Sequence, residues 1–338
     1  MTTAMPPTAS HPFPASSTTT RRRTADLLSR DEIAALTERS NWRGTWAIAS
    51  TWSVIAAAMA LLAYQPNALT FLIALLVIGG RQLALAILEH EAAHGTLFRT
   101  RWMNAVLGDW LCARPIWQDV AKYRTHHMLH HTHTGTAQDS DRSLIAPFPI
   151  TRSALARKLL RDVTGLTGLK VLYGRLLMDA GLIRWTVASE VEWLPRNERS
   201  NLQIAGAALR NMIPMLMTNG LLLAALSAAG HAWLYGVWVL AYLTTFTLFV
   251  RIRAIAEHAC TENSPDVLRN TRSTRAGWLA RLTVAPMYVN LHREHHLLAS
   301  APYYRLPALH RLLRERDALP MAPGYLSVLH TVTEPRTA

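Results

Sequence analysis

The chain has 338 residues, half of them apolar, with 35 basic against 22 acidic side chains and a formal charge of +13. That length suits one large domain or two small ones. The two cysteines, Cys112 and Cys260, exclude a disulfide framework, a rubredoxin-type site or an iron–sulfur cluster built from this chain alone.

Residues 1–22 are rich in Ser, Thr, Pro and Ala and lack an apolar period, so a disordered tail is expected there. No apolar core follows the arginines at 21–23, and a signal peptide is therefore not indicated. Residues 24–40 read as an amphipathic helix that lies on a membrane or covers the domain. Four apolar stretches follow, over 46–64, 69–88, 212–229 and 232–250. Each approaches the ~20 residues that cross a hydrocarbon core. They pair into two hairpins through uncharged turns, Gln65-Pro66-Asn67-Ala68 and Gly230-His231.

Nearly every arginine falls in the N-terminal arm, in 89–211 or in 251–338; lysine occurs only at Lys122, Lys158 and Lys170. This positive-inside bias places both termini and both long polar segments in the cytoplasm. It accounts for the charge without nucleic acid, for which no binding motif is found. The sequence thus predicts an all-α membrane protein. Four transmembrane helices in two hairpins, within a domain spanning 23–320, carry a cytoplasmic helical cap, and 321–338 form a C-terminal tail. Arg81 falls inside the second stretch, where a bare charge is costly. It is expected either to snorkel to the surface or to face the bundle interior.

Histidine is the unusual component. Ten of fifteen fall within 90–94, 126–133 and 292–296. In a helix, residues four apart share a face, so His90 and His94 can hold one metal. His127, His130 and His131 stand at i, i+3 and i+4, and His292, His295 and His296 repeat that spacing. His258 follows the fourth stretch as His90 and His94 follow the second. His126 and His133 point elsewhere and are expected to lie outside the ligand set, as are His11, His231, His310 and His330. The nine candidates are too many for one metal, since a catalytic zinc takes three protein ligands and a structural one four. They suit two. Imidazole sets accept iron, zinc, copper or nickel. A site at the end of an apolar bundle can receive an aliphatic chain, and its unactivated C–H bonds call for a redox metal and oxygen rather than zinc. Glu91, Glu294 and Asn290 sit beside the candidate ligands and are expected to orient them. Asp139 and Asp141 could do the same, although a solvated loop is the simpler expectation. The His90-Glu91-Ala92-Ala93-His94 string alone is also the zinc-protease pattern.

These residues resemble the membrane fatty acid desaturase and hydroxylase superfamily. The resemblance runs over about residues 30–315. Its carriers are His90 to Gly95, Tyr123 to Gly135, Arg253 to His258 with Arg269-Asn270-Thr271-Arg272, and Asn290 to Leu297 with Leu306 to His310. The Ala256-Glu257-His258 and Arg269-Asn270-Thr271-Arg272 strings look most like bacterial acyl-lipid desaturases. The resemblance implies two irons held by the nine histidines, O2 as co-substrate, and electrons from a separate ferredoxin- or cytochrome-type donor with its reductase. It implies a lipid or acyl-chain substrate and a bacterial cytoplasmic membrane location, with desaturation as the reaction. Hydroxylation of a lipid, alkane or carotenoid by the same site is the alternative, and an intramembrane zinc protease a remote one. Two departures stand out. His126 occupies a position that is often aromatic, and Leu297-Leu298-Ala299-Ser300-Ala301-Pro302 lacks the usual Leu-x-Pro.

Overall fold

A computed structural model describes residues 22–334. Among them the secondary structure is helical, with only two isolated bridges, Ile183 to Trp193 and Arg275 to Gly324. Four helices are long and apolar enough to cross a membrane: Asn41–Tyr64, Ala68–His94, Asn201–Ala228 and Leu234–His258. They match the four expected stretches to within two residues at the hairpin turns, but each runs on past the polar end of its stretch. The second and fourth carry their apolar faces straight into the histidine segments, so the same rigid rods that sit in the membrane deliver His90, His94 and His258. The fourth contains a π-helical turn at Tyr242–Phe246.

The hairpin turns follow from local chemistry. The Asn67 side chain accepts from the backbone N–H groups of Leu69 and Thr70 and starts the second span. Gly230, at φ 78°, closes the third span in the left-handed region. The second span is the axis of the bundle. Ala74, Ile78, Leu83, Leu85 and Leu88 are buried along it in one core with Ile55 and Leu62 of the first span and Trp238 and Phe246 of the fourth. Two glycines let neighbours close on it. A Cβ on Gly79 would lie 2.1 Å from Thr245 Oγ1, and one on Gly80 would lie 2.1 Å from the Leu282 carbonyl oxygen. The third span is different. None of its most apolar window is buried within the chain, so its leucines are left for lipid.

Arg81 does not stand bare. Its guanidinium donates to the carbonyl oxygens of Arg281 and Leu282, both at 2.9 Å. The short helix Trp278–Leu282 is thereby drawn down against the second span.

The ends depart from expectation. The expected helix over 24–40 is two short ones, Thr24–Leu27 and Arg30–Leu36, because Ser29 and Glu32 form a capping box that restarts the chain. Leu28 and Leu36 pack against Leu309 and Leu313, so this segment covers the cap. Of the expected 1–22 tail, only Arg22 is described; it pairs with Asp266 at 2.9 Å. The 321–338 segment is no simple tail up to residue 334. Helix Tyr325–Thr331 buries Val328, and with it Val332, against Phe148 and Ile255, an i, i+4 apolar pair with a partner surface.

Gly80→Val should overpack the contact with Leu282 and cost about 1–3 kcal/mol. Thermal unfolding of the detergent-purified protein should show a lowered midpoint, while Gly206→Ala, which sits in a helix and meets nothing within 4 Å, should not lower it.

Candidate metal centre

The segments that bear the histidines are set by caps and by arginines that reach backbone carbonyls. Gly95, at φ 69°, ends the second span directly after His94. Asp119 caps the helix Val120–His133 through the N–H groups of Ala121 and Lys122, and Arg114 ties Asp119 (2.9 Å) to Asp109 (2.7 Å). Arg124 donates to the carbonyls of Ala92 and Ala93 at 3.1 and 2.7 Å, which fixes this helix against the second span. Across the site, Arg272 reaches Ala256 and Ala259, Arg293 reaches Thr271, and Asn270 bridges Thr134 to Ser264. The motif residues Arg124, Asn270, Arg272 and Arg293 thus hold together chain segments that are remote in sequence.

All nine candidate histidines converge, in two groups. His90, His94, His127, His131 and His295 form one; His130, His258, His292 and His296 form the other. Within each group the donor nitrogens lie within 4.8 Å of one another. Consecutive helical residues are about 100° apart, so each His-x-x-His-His string splits. His127 and His131 turn to one group and His130 to the other; His292 and His296 turn one way and His295 the other. The groups adjoin, with the His131 and His296 rings stacked at 4.2 Å.

The nitrogen geometry suits a cation. Nε2 atoms face Nε2 atoms at 3.0 Å between His94 and His127, 3.0 Å between His127 and His131, 3.1 Å between His131 and His295, and 2.7 Å between His258 and His292. Both nitrogens of His90 and both of His296 are buried without a hydrogen-bond partner. Orphaned buried nitrogens are costly, and lone pairs converging on one point are what a bound metal satisfies. Burial, reinforced by the neighbouring imidazoles, holds His127, His292, His295 and His296 well below the usual imidazole range. They are therefore neutral, as ligation requires.

His130 is the exception. Burial pulls it down, but a hydrogen bond to Asp139 and the charges of Asp141, Asp139 and Glu257 outweigh that, and it sits above the usual range. Its Nδ1 is 2.7 Å from Asp139 Oδ1, which leaves Nε2 for the group. Asp139 is buried, so the solvated-loop expectation for it fails: the turn after His133 folds back under the helix. Asp141 pairs with His126 at 2.7 Å. His126 and His133 stay outside both groups.

Glu91, Glu294 and Asn290 are all buried; Glu91 Oε1 comes within 3.7 Å of His90 Nδ1, but the hydrogen bonds of all three go to groups other than the nine candidate histidines. Glu91 accepts from Thr96 Oγ1 (2.7 Å) and Tyr303 N (2.9 Å), so it is engaged rather than free to act as the base of a protease. Glu294 accepts from Ser273 and lies 2.5 Å from His310 Nδ1. Asn290 donates to the Thr274 carbonyl. The sequence reading missed Glu257, which lies 3.5 Å from His292 Nδ1 and is bound to Arg253. Its place beside His258 in the Ala-Glu-His string was the available signal. Tyr123 was also missed; its ring stacks on His127 at 5.0 Å.

Comparison with known proteins agrees with this geometry. The model of the family described as "Fatty acid desaturase" matches residues 66–327. A dihydrorhizobitoxine desaturase from Bradyrhizobium elkanii is 25% identical over 260 residues, covering 76% of this chain and 69% of that protein.

Two outcomes follow. Asp139→Asn should weaken metal retention about 10–100-fold, read by chelator titration with metal analysis of the purified protein. In metal-free protein, the four depressed imidazoles take up protons on unfolding but not when folded. Their contribution is nil above the ordinary pKa of about 6.5 and turns destabilising below it, by about 1.4 kcal/mol per pH unit for each; among the imidazoles of the centre, the raised His130 works against this. The unfolding midpoint should be flat above about pH 7.5 and fall steeply toward pH 5.

Proposed function

The chain belongs to the fatty acid desaturase family, and from that premise we propose that it is an O2-dependent di-iron acyl-lipid desaturase. It is an oxidoreductase of the desaturase type and an integral membrane protein with four spans. The observation that carries the finer reading is the pair of all-histidine groups at the ends of the second and fourth spans.

In this reading His90, His94, His127, His131 and His295 hold one iron, and His130, His258, His292 and His296 hold the other. Bound iron supplies the redox chemistry with O2 that an unactivated C–H bond requires. The overall change is –CH2–CH2– + O2 + 2 H⁺ + 2 e⁻ → –CH=CH– + 2 H2O. The protein contributes position and dryness. Asp139 holds the His130 ring in one tautomer, and Glu257 stands beside the Nδ1 of His292. The apolar spans keep water from the aliphatic chain, and the arginine contacts to Ala92, Ala93 and Thr271 fix the histidine segments relative to one another. The two electrons come from a separate ferredoxin- or cytochrome-type protein and its reductase. In this reading the membrane is a bacterial cytoplasmic one, and the arginine distribution supports the metal site and both termini on its cytoplasmic side. The relative from Bradyrhizobium is named for a different substrate. The acyl-lipid assignment rests instead on the apolar bundle and on the Ala256-Glu257-His258 and Arg269-Asn270-Thr271-Arg272 strings.

Accurate-mass lipid profiling of cells expressing the wild type or His130→Ala tests this. The expected result is a lipid species lighter by two hydrogens, present only with the wild type. A species heavier by one oxygen instead would make the protein a hydroxylase and overturn the proposal.

A further inference from the structure

Outside the histidine centre, one concavity combines size, charge and position. A groove of about 470 Å³ has Tyr288, Asn290 and Leu291 on its floor and Arg275, Arg281 and Arg311 among its walls. All three arginines are exposed. Among the described residues none of the three forms an ion pair, whereas Arg22, Arg99, Arg305 and Arg316 on the same cap are each matched to a carboxylate. Unpaired guanidiniums around an apolar floor match a ligand with a phosphate at one end and hydrocarbon at the other, because the planar fork of Arg bonds phosphate oxygens in pairs.

The groove's place in the fold supports the same ligand. Arg281 belongs to the helix Trp278–Leu282, which Arg81 of the second span holds through two carbonyls. On that helix Trp278 is 78% and Leu279 55% exposed. A Trp and a Leu offered to the outside, beside a span and next to an arginine, mark the level of the membrane interface, where lipid phosphates lie. The floor is built on an unusual backbone. Met287 and Tyr288 are consecutive non-glycine residues at φ 51° and 55°, a conformation that costs energy and clusters at ligand clamps. It sets the Tyr288 ring under the Arg281 guanidinium, 4.7 Å from the ring centroid, and so pre-orients the fork.

We propose that this groove binds the phosphate headgroup of a membrane lipid, with Arg275, Arg281 and Arg311 on the phosphate and the Tyr288–Leu291 floor under the first part of the lipid. The inference does not depend on the proposed reaction, and its test reads binding without turnover, so either can fail alone.

The test titrates the intact protein, in a neutral detergent, with dihexanoyl phosphatidylglycerol, and reads the unfolding midpoint and the bound lipid by native mass spectrometry. The expected result is saturable stabilisation by the lipid. Its apparent Kd should rise at least tenfold in Arg275→Gln/Arg311→Gln and in Arg281→Gln, and stay unchanged in Arg196→Gln, which removes a surface cation elsewhere. Equal affinity in the groove variants and wild type would overturn the site. Equal affinity for inorganic phosphate, or for an uncharged dihexanoyl glycerol, would overturn the lipid-phosphate assignment. Matching unfolding midpoints without lipid establish that the variants are folded.

Discussion

The controlling constraint is the burial of nine imidazoles whose nitrogens point at two small volumes. Neutral imidazoles packed Nε2 to Nε2 repel unless protons or a cation lie between them, and the pairs at 2.7 to 3.1 Å leave little room for water. The rest of the cap answers this demand. Arginines bond carbonyls in the chain around each histidine string, and aspartate and glutamate stand at the outer nitrogens of His130 and His292. The polar network is a frame that holds donors together against their own tendency to separate.

The membrane part serves the same end through stiffness. A helix continuous from hydrocarbon into cap cannot pivot at the surface, so His90, His94 and His258 inherit the alignment of the bundle. Gly79 and Gly80 allow that alignment by bringing the fourth span and the cap backbone against the second span. Arg81, awkward in sequence, is the clasp between membrane and cap.

Much of this could be read from residue spacing. Apolar stretches located the spans. The recurrence of His at i, i+3 and i+4 picked out six of the nine histidines that converge, the i, i+4 pair added His90 and His94, and its place after the fourth stretch added His258. What the spacing hid was their division. The reading put His127, His130 and His131 on one face, but the 100° between His130 and His131 is enough to send them to different groups. The partners of the outer nitrogens were harder. Asp139 reaches His130 through a turn, and Glu257 reaches His292 across 35 residues; no local period encodes such contacts. Glu91 and Glu294 lay at suggestive positions, yet helix geometry turned their carboxylates to Thr96 and Ser273. The termini misled for a simpler reason. Ser29 and the Val328–Val332 pair are short signals inside polar sequence, and only a partner surface gives them weight.

The splitting of the strings gives the centre a mechanical property. Because Val120–His133 feeds both histidine groups from one rigid rod, a small roll about its axis swings the His130 ring and the His127 and His131 rings together. The third string behaves alike on its own helix. A motion of either helix therefore reshapes both pockets of nitrogens together, and the fastening of these two helices to the cap governs both at once.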